Sequence, residues 1–204
     1  MDSCKERNDF TNRFWSYYRM LESDCLKLRR YIEFRDENLK TCSNEIIKQL
    51  LSTAAEFDNV CKFIIEKEDK DTTLLDYKKW FFSKDCDIDI KKVIIVVKNS
   101  NMEIAPFSTW GGEKNDKLWW WDNYNSIKHH RDNSYVLGSL DCLLYALAAL
   151  YFLECYCYKR ISQKNSTDAC EVFDVPPDLS ELFYIKSEME THTMILGDNL
   201  FGVG

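Results

Sequence analysis

Two of the three histidines in this chain stand side by side, His129 and His130, flanked by Lys128 and Arg131. On a helix, Asn125, Lys128 and His129 fall at i, i+3 and i+4, so their polar ends converge on one side. An imidazole exchanges a proton near neutral pH, and a neighbouring ammonium, guanidinium and amide donor stabilise a developing oxyanion. That combination suits the binding or turnover of a phosphate. Asn125, Lys128 and His129 are therefore candidate catalytic residues, and Arg131, His130 and Trp121 are candidate substrate-binding residues. A bland reading has comparable weight, because cations at a helix C-terminus are favoured by the helix dipole alone. What favours function is the run Trp119, Trp120 and Trp121 beside the polar stripe.

Other residues carry less. Glu56 and Asp58 are placed to reach the motif and orient His129, although acidic residues on helices are usually just solvated. Glu154 has apolar neighbours; it either pairs with a cation from another helix or sits where its helix emerges. His192 has no partner pattern and reads as a surface residue. The pair Gly111 and Gly112 is no phosphate loop, since no Gly-Lys-Ser/Thr follows it. No Ser or Cys nucleophile has a recognisable surrounding motif. The nine cysteines are odd in number and scattered, with Cys155 and Cys157 the closest pair. They read as reduced, mostly small core residues, and neither metal nor cofactor is expected.

The elements that must hold these residues follow from apolar spacing. From about 9 to 34, Phe10, Phe14, Tyr17, Tyr18, Leu21, Cys25, Leu28 and Ile32 recur at helical steps. Ser43 is a plausible N-cap, with Glu45 in the first turn, for a second long helix ending near Lys67. Its face carries Ile46, Ile47, Leu50, Leu51, Ala54, Phe57, Val60, Cys61 and Ile64. A short helix is expected over 73–82. The β-branched run 93–97, the turn chemistry of Asn99, Ser100 and Asn101, and the alternation at 102–104 predict a β-hairpin. An irregular loop over 106–115 either covers the bundle or carries function. Two helices follow, at about 117–130 and 134–158, the second apolar nearly all round and so central. The tail is expected to hold a short helix over 179–186 and then a frayed or swapped end.

With only six Gly and three Pro in 204 residues, few tight turns interrupt these elements. The predicted fold is mainly α: an up-and-down helical bundle of four or more helices with a small inserted β-hairpin. It is one domain over 1–204, with the insertion at about 88–116 and a loosely packed tail at about 162–204. A net charge of −7 argues against a surface that coats nucleic acid, which needs excess Lys and Arg, but not against one local basic pocket. The first residues hold no apolar stretch that would make a secretory signal. The apolar segment 142–153 is too short for a membrane span, which needs about 20 residues. A cytoplasmic chain without membrane attachment is expected.

A helical bundle with a polar motif ending in His, next to an apolar final helix, resembles the HEPN superfamily of bacterial RNases and defence-linked helical proteins. That family's usual signature is an Arg, commonly followed by a polar residue, then a His four to six positions later. Here the His is His129 or His130, the upstream place is held by Asn125 or Tyr124, and Lys128 and Arg131 flank the histidines. The resemblance implies metal-independent RNA cleavage by attack of the 2′-hydroxyl on the adjacent phosphate. His129 would move the proton, and Lys128 or Arg131 would stabilise the phosphate. It also implies a homodimer pairing two motifs, in a bacterial defence or toxin setting, with RNA or a nucleotide as partner. Many HEPN-like proteins are inactive, so the other expectation is a non-catalytic interaction or dimerisation module.

Overall fold

The computed structural model describes residues 3–67, 71–100, 102–111, 117–164 and 179–186. Its first helical stretch begins with α1 (Ser3–Phe10), passes through one π-helical turn (Thr11–Trp15) and continues as α2 (Ser16–Leu28). The π turn closes where the Ser16 N–H donates to the Thr11 carbonyl, five residues back. Its extra residue lets Phe10, Phe14, Trp15 and Tyr18 all reach the buried side. The helix stops at Leu28 rather than near 34. Arg29 turns its guanidinium onto the Lys98 carbonyl at 2.7 Å, and Phe34 folds beneath it into the core.

Helix α3 (Asn44–Ile64) starts as its sequence predicts: the Ser43 hydroxyl accepts the Ile46 N–H at 3.1 Å. Helix α4 (Leu74–Phe81) follows, its start fixed by the Asp76 carboxylate accepting the Thr73 N–H at 3.0 Å. The hairpin forms from β1 (Ile94–Val97) and β2 (Met102–Ile104), antiparallel with Ile95 opposite Ile104. Asn99 takes the left-handed conformation in its turn (φ +65°), which Asn tolerates better than most residues. Beyond it, Phe107 and Trp110 are buried, and Trp120 Nε1 donates to the Pro106 carbonyl at 3.0 Å. This part of the loop covers the bundle.

Helix α5 (Trp119–Ser134) leads through a 3₁₀ turn (Tyr135–Leu137) into α6 (Leu140–Lys164). Gly138 and Ser139 delay the start of α6 beyond the expected 134. There the Asp141 carboxylate accepts the Cys142 N–H at 2.8 Å and the Ser139 hydroxyl. Helices account for 65% of the described residues, so the mainly α architecture is shown.

Contacts set the helix directions. Phe10 meets Tyr158 and Tyr18 meets Tyr151, so the first helical stretch runs antiparallel to α6. Phe57 meets Trp120 and Trp121 while Asn44 meets Arg131, so α3 and α5 are antiparallel. The four long helices therefore alternate up and down, with α4 and the hairpin inserted between α3 and α5. By length and composition α6 could cross a membrane, and 89% of its most apolar window is buried inside the bundle.

The tail differs from expectation. Phe183–Lys186 form β3, which pairs antiparallel with β1 to give the sheet order β2-β1-β3. Leu179, Leu182 and Phe183 fit a helical spacing, but Phe183, Tyr184 and Ile185 favour a strand once an edge is available. Leu182 and Phe183 are buried, while Leu179 and Tyr184 are exposed. The expected frayed or swapped end lies outside the described residues.

Candidate functional site

Trp120, Trp121, Tyr124 and Ile127 are the buried side of α5. Trp120 stands edge-on to Phe57 at 5.0 Å, and Trp121 packs between Phe57 and Tyr124. Trp119 rests on Tyr145 of α6 at 4.8 Å. The three tryptophans thus anchor the start of α5 in the core. His129 lies about 12 Å further along the axis than Trp121, from eight residues at 1.5 Å each. Trp121 is therefore one turn from Asn125 and about two turns or more from Lys128, His129, His130 and Arg131.

Asn125 is half-buried, while Lys128, His129, His130 and Arg131 are exposed. The Lys128 ammonium lies over the Tyr124 ring, 5.5 Å from its centroid. Helical geometry breaks at His130 (φ −141°, ψ 50°), which ends the regular part of α5 where the sequence predicts. Beyond the break, Arg131 Nη2 donates to Asn44 Oδ1 at 3.4 Å, tying α5 to the start of α3. The rings of His129 and His130 have centroids 6.4 Å apart. Among the described residues neither imidazole makes a hydrogen bond, and none of the four carries an ion pair to a carboxylate. The structure therefore brings Lys128, His129, His130 and Arg131 onto one end of α5, with Asn125 one turn away.

The orienting role foreseen for Glu56 and Asp58 does not form. Because α3 and α5 are antiparallel, those residues lie beside the beginning of α5. Glu56 and Asp58 are about 18 and 21 Å along α3 from Asn44, twelve and fourteen residues at 1.5 Å each. Asp58 instead accepts the Tyr77 hydroxyl at 2.5 Å and pairs with Lys62 at 2.7 Å. Burial, and then the Asp58 carboxylate, push the Tyr77 phenol well up. Glu56 is buried and accepts the Asn59 amide at 3.0 Å. His192 lies outside the described residues.

Glu154 takes neither expected role. Its side chain is 0% exposed, and neither oxygen has a hydrogen-bond partner among the described residues. Burial, and then the nearby Glu56 carboxylate, push its carboxyl well above the usual range. Glu22, not among the candidates above, is also buried and sits on the apolar stripe of Tyr18, Cys25 and Leu28. A charge on an apolar stripe is a readable signal.

Two clefts lie away from the motif. One of about 650 Å³ is lined by Arg29, Glu33, Arg35, Asp36, Asn99 and Met102. The other, of about 350 Å³, is bounded by Phe10, Arg13, Phe14, Phe63, Cys157 and Arg160. Among the described residues no group of three or more His, Cys, Asp or Glu side chains is arranged to hold a metal. What the end of α5 can do is donate hydrogen bonds and positive charge to an anion in open solvent. Comparison with family models, with curated proteins and with solved structures finds no match for this chain.

Proposed function

We propose that this chain is a non-catalytic helical interaction module whose end of α5 docks a phosphate-bearing partner, RNA being the partner class. The observation that carries this reading is the exposure of Lys128, His129, His130 and Arg131 together. Each offers donors to a phosphate, and among the described residues no group holds either imidazole in the orientation that proton transfer needs. Against a net charge of −7, these neighbouring cations supply local attraction for a phosphate. A cytoplasmic setting and a homodimer that doubles the patch belong to the same proposal.

The second reading is a HEPN-like, metal-independent RNase, favoured by the imidazole, ammonium and guanidinium on one helix end. One experiment separates the two. Fluorescence anisotropy with a labelled single-stranded RNA is run on the parent, on Lys128→Glu with Arg131→Glu, and on His129→Ala. RNA integrity is read in parallel. The module reading expects salt-sensitive binding, weakened roughly tenfold or more by the double charge reversal, with intact RNA throughout. Cleavage by the parent that His129→Ala abolishes would install the RNase reading. Binding indifferent to the charge reversal would remove the end of α5 from both.

A further inference from the structure

Residues 180–186 are seated as a peptide ligand is seated. Residues 165–179, fifteen in all, separate this segment from the end of α6 in the sequence. At its start the Glu22 carboxylate, 1% exposed on α2, accepts the Leu182 N–H at 3.1 Å, the Glu181 N–H at 3.3 Å and the Ser180 hydroxyl. Ser180 Oγ in turn accepts the Phe183 N–H at 2.8 Å. From the other side, the Lys98 N–H donates to the Leu182 carbonyl at 2.8 Å, and Lys98 Nζ to the Ser180 carbonyl at 2.7 Å. Leu182 and Phe183 are buried, and the Phe183 ring lies 5.7 Å from Tyr151 of α6. The strand then runs along β1 to Lys186. Main-chain pairing along an edge combined with pockets for particular side chains is how extended peptides are recognised.

The receiving elements also pack against one another. Helices α3 and α6 bury their faces against each other and against α2 and α5, and β1 retains β2 as a partner. Glu22 is the group that changes most. Its other donors are the Tyr18 hydroxyl at 2.9 Å and the Arg19 guanidinium, so undocking removes three of its five donors. The segment and the carboxylate thus form one cooperative unit, smaller than the whole fold.

We propose that Glu22 and the free edge of β1 form a peptide-binding site of pattern Ser-x-Leu-Phe, filled in this chain by its own residues 180–186 as a strap that lifts off while the bundle stays folded. The test is native-state amide exchange on the full chain. The amides of Lys98, Leu182 and Phe183 should exchange together, at least tenfold faster than those of Phe57 and Leu147. Glu22→Gln keeps the size but turns one acceptor into a donor facing N–H groups. It should speed the first group at least tenfold and leave the second unchanged. Exchange of the strap amides at the core rate, or equal acceleration of both groups, would overturn the proposal. A labelled Ser-Glu-Leu-Phe-Tyr-Ile-Lys peptide supplies an independent reading. It should bind folded Leu182→Ala chain at least tenfold more tightly than the parent, because the weakened strap vacates the site. No difference between the two chains would equally sink it, and if Leu182→Ala fails to fold, exchange on the parent decides.

Discussion

Glu154 is a buried carboxyl with no hydrogen-bond partner among the described residues. A buried carboxylate without partners costs far more than a buried carboxylic acid, so the folded chain keeps the proton. In the unfolded chain a Glu ionises near pH 4.3, about the value of a free side chain. Above that point the unfolded state binds fewer protons than the folded one, so stability falls as pH rises until the folded carboxyl itself ionises. Glu154→Met fills a similar volume without the acid. It should raise stability by about 1–3 kcal/mol at neutral pH and flatten the decline between about pH 5 and 8. Thermal unfolding across that range checks it; a variant less stable than the parent at neutral pH would mean that Glu154 has a partner worth keeping. The opposite expectation holds for His129, which is exposed and makes no hydrogen bond among the described residues. His129→Ala should change stability by about 0.5 kcal/mol or less. A loss of more than ~1 kcal/mol in chemical denaturation would make it a structural histidine.

Between α5 and α6 one small residue sets how closely the elements approach. A Cβ on Gly138 would lie 2.4 Å from Ile47 Cγ1 and 3.3 Å from Ile127 Cδ1, both in buried side chains. Gly138→Ala should therefore destabilise by about 1–3 kcal/mol, since a packed core accommodates an added methyl only by shifting its neighbours. The denaturant midpoint should fall with an unchanged slope; an unmoved midpoint would show that the turn slides freely over α3. Elements set by local chemistry were legible in the sequence: α3 with its Ser43 cap, α4, the hairpin, and the end of regular α5 at His130. Elements set by distant partners were not. Helix α2 ends at Leu28 because Arg29 and Phe34 have better positions against Lys98 and the core. Strand β3 exists because β1, far away in sequence, offers an edge. The candidate site divides the same way. Spacing put Lys128 and His129 on one exposed face, but only the antiparallel pairing of α3 and α5 shows that Glu56 and Asp58 point elsewhere.

At the scale of the molecule, the bundle decides which thiols meet solvent. Cys25, Cys61, Cys142 and Cys157 are buried, whereas Cys42, Cys86 and Cys155 are partly exposed. These seven cysteines are free. Burial pushes the thiols of Cys25 and Cys155 up to about 12 and that of Cys61 well above the ordinary value. Since the thiolate is the nucleophile, Cys25 and Cys61 lack both access and reactivity until the fold opens. Cys86 differs: its sulfur accepts the Tyr156 hydroxyl at 3.7 Å in a network with Asp87 and Arg160 that pins residues 85–87 to α6. Alkylation of the native chain, localised by peptide mass spectrometry, should label Cys86 and Cys42 first. Cys25, Cys61, Cys142 and Cys157 should lag by roughly tenfold or more and respond together to denaturant, because one cooperative core shields them. In denaturant without reductant all nine cysteines of the sequence should titrate. Early labelling of Cys61 or Cys157 would mean that α3 and α6 separate on their own. A denatured count below nine would reveal a disulfide that the reduced reading of this chain does not allow.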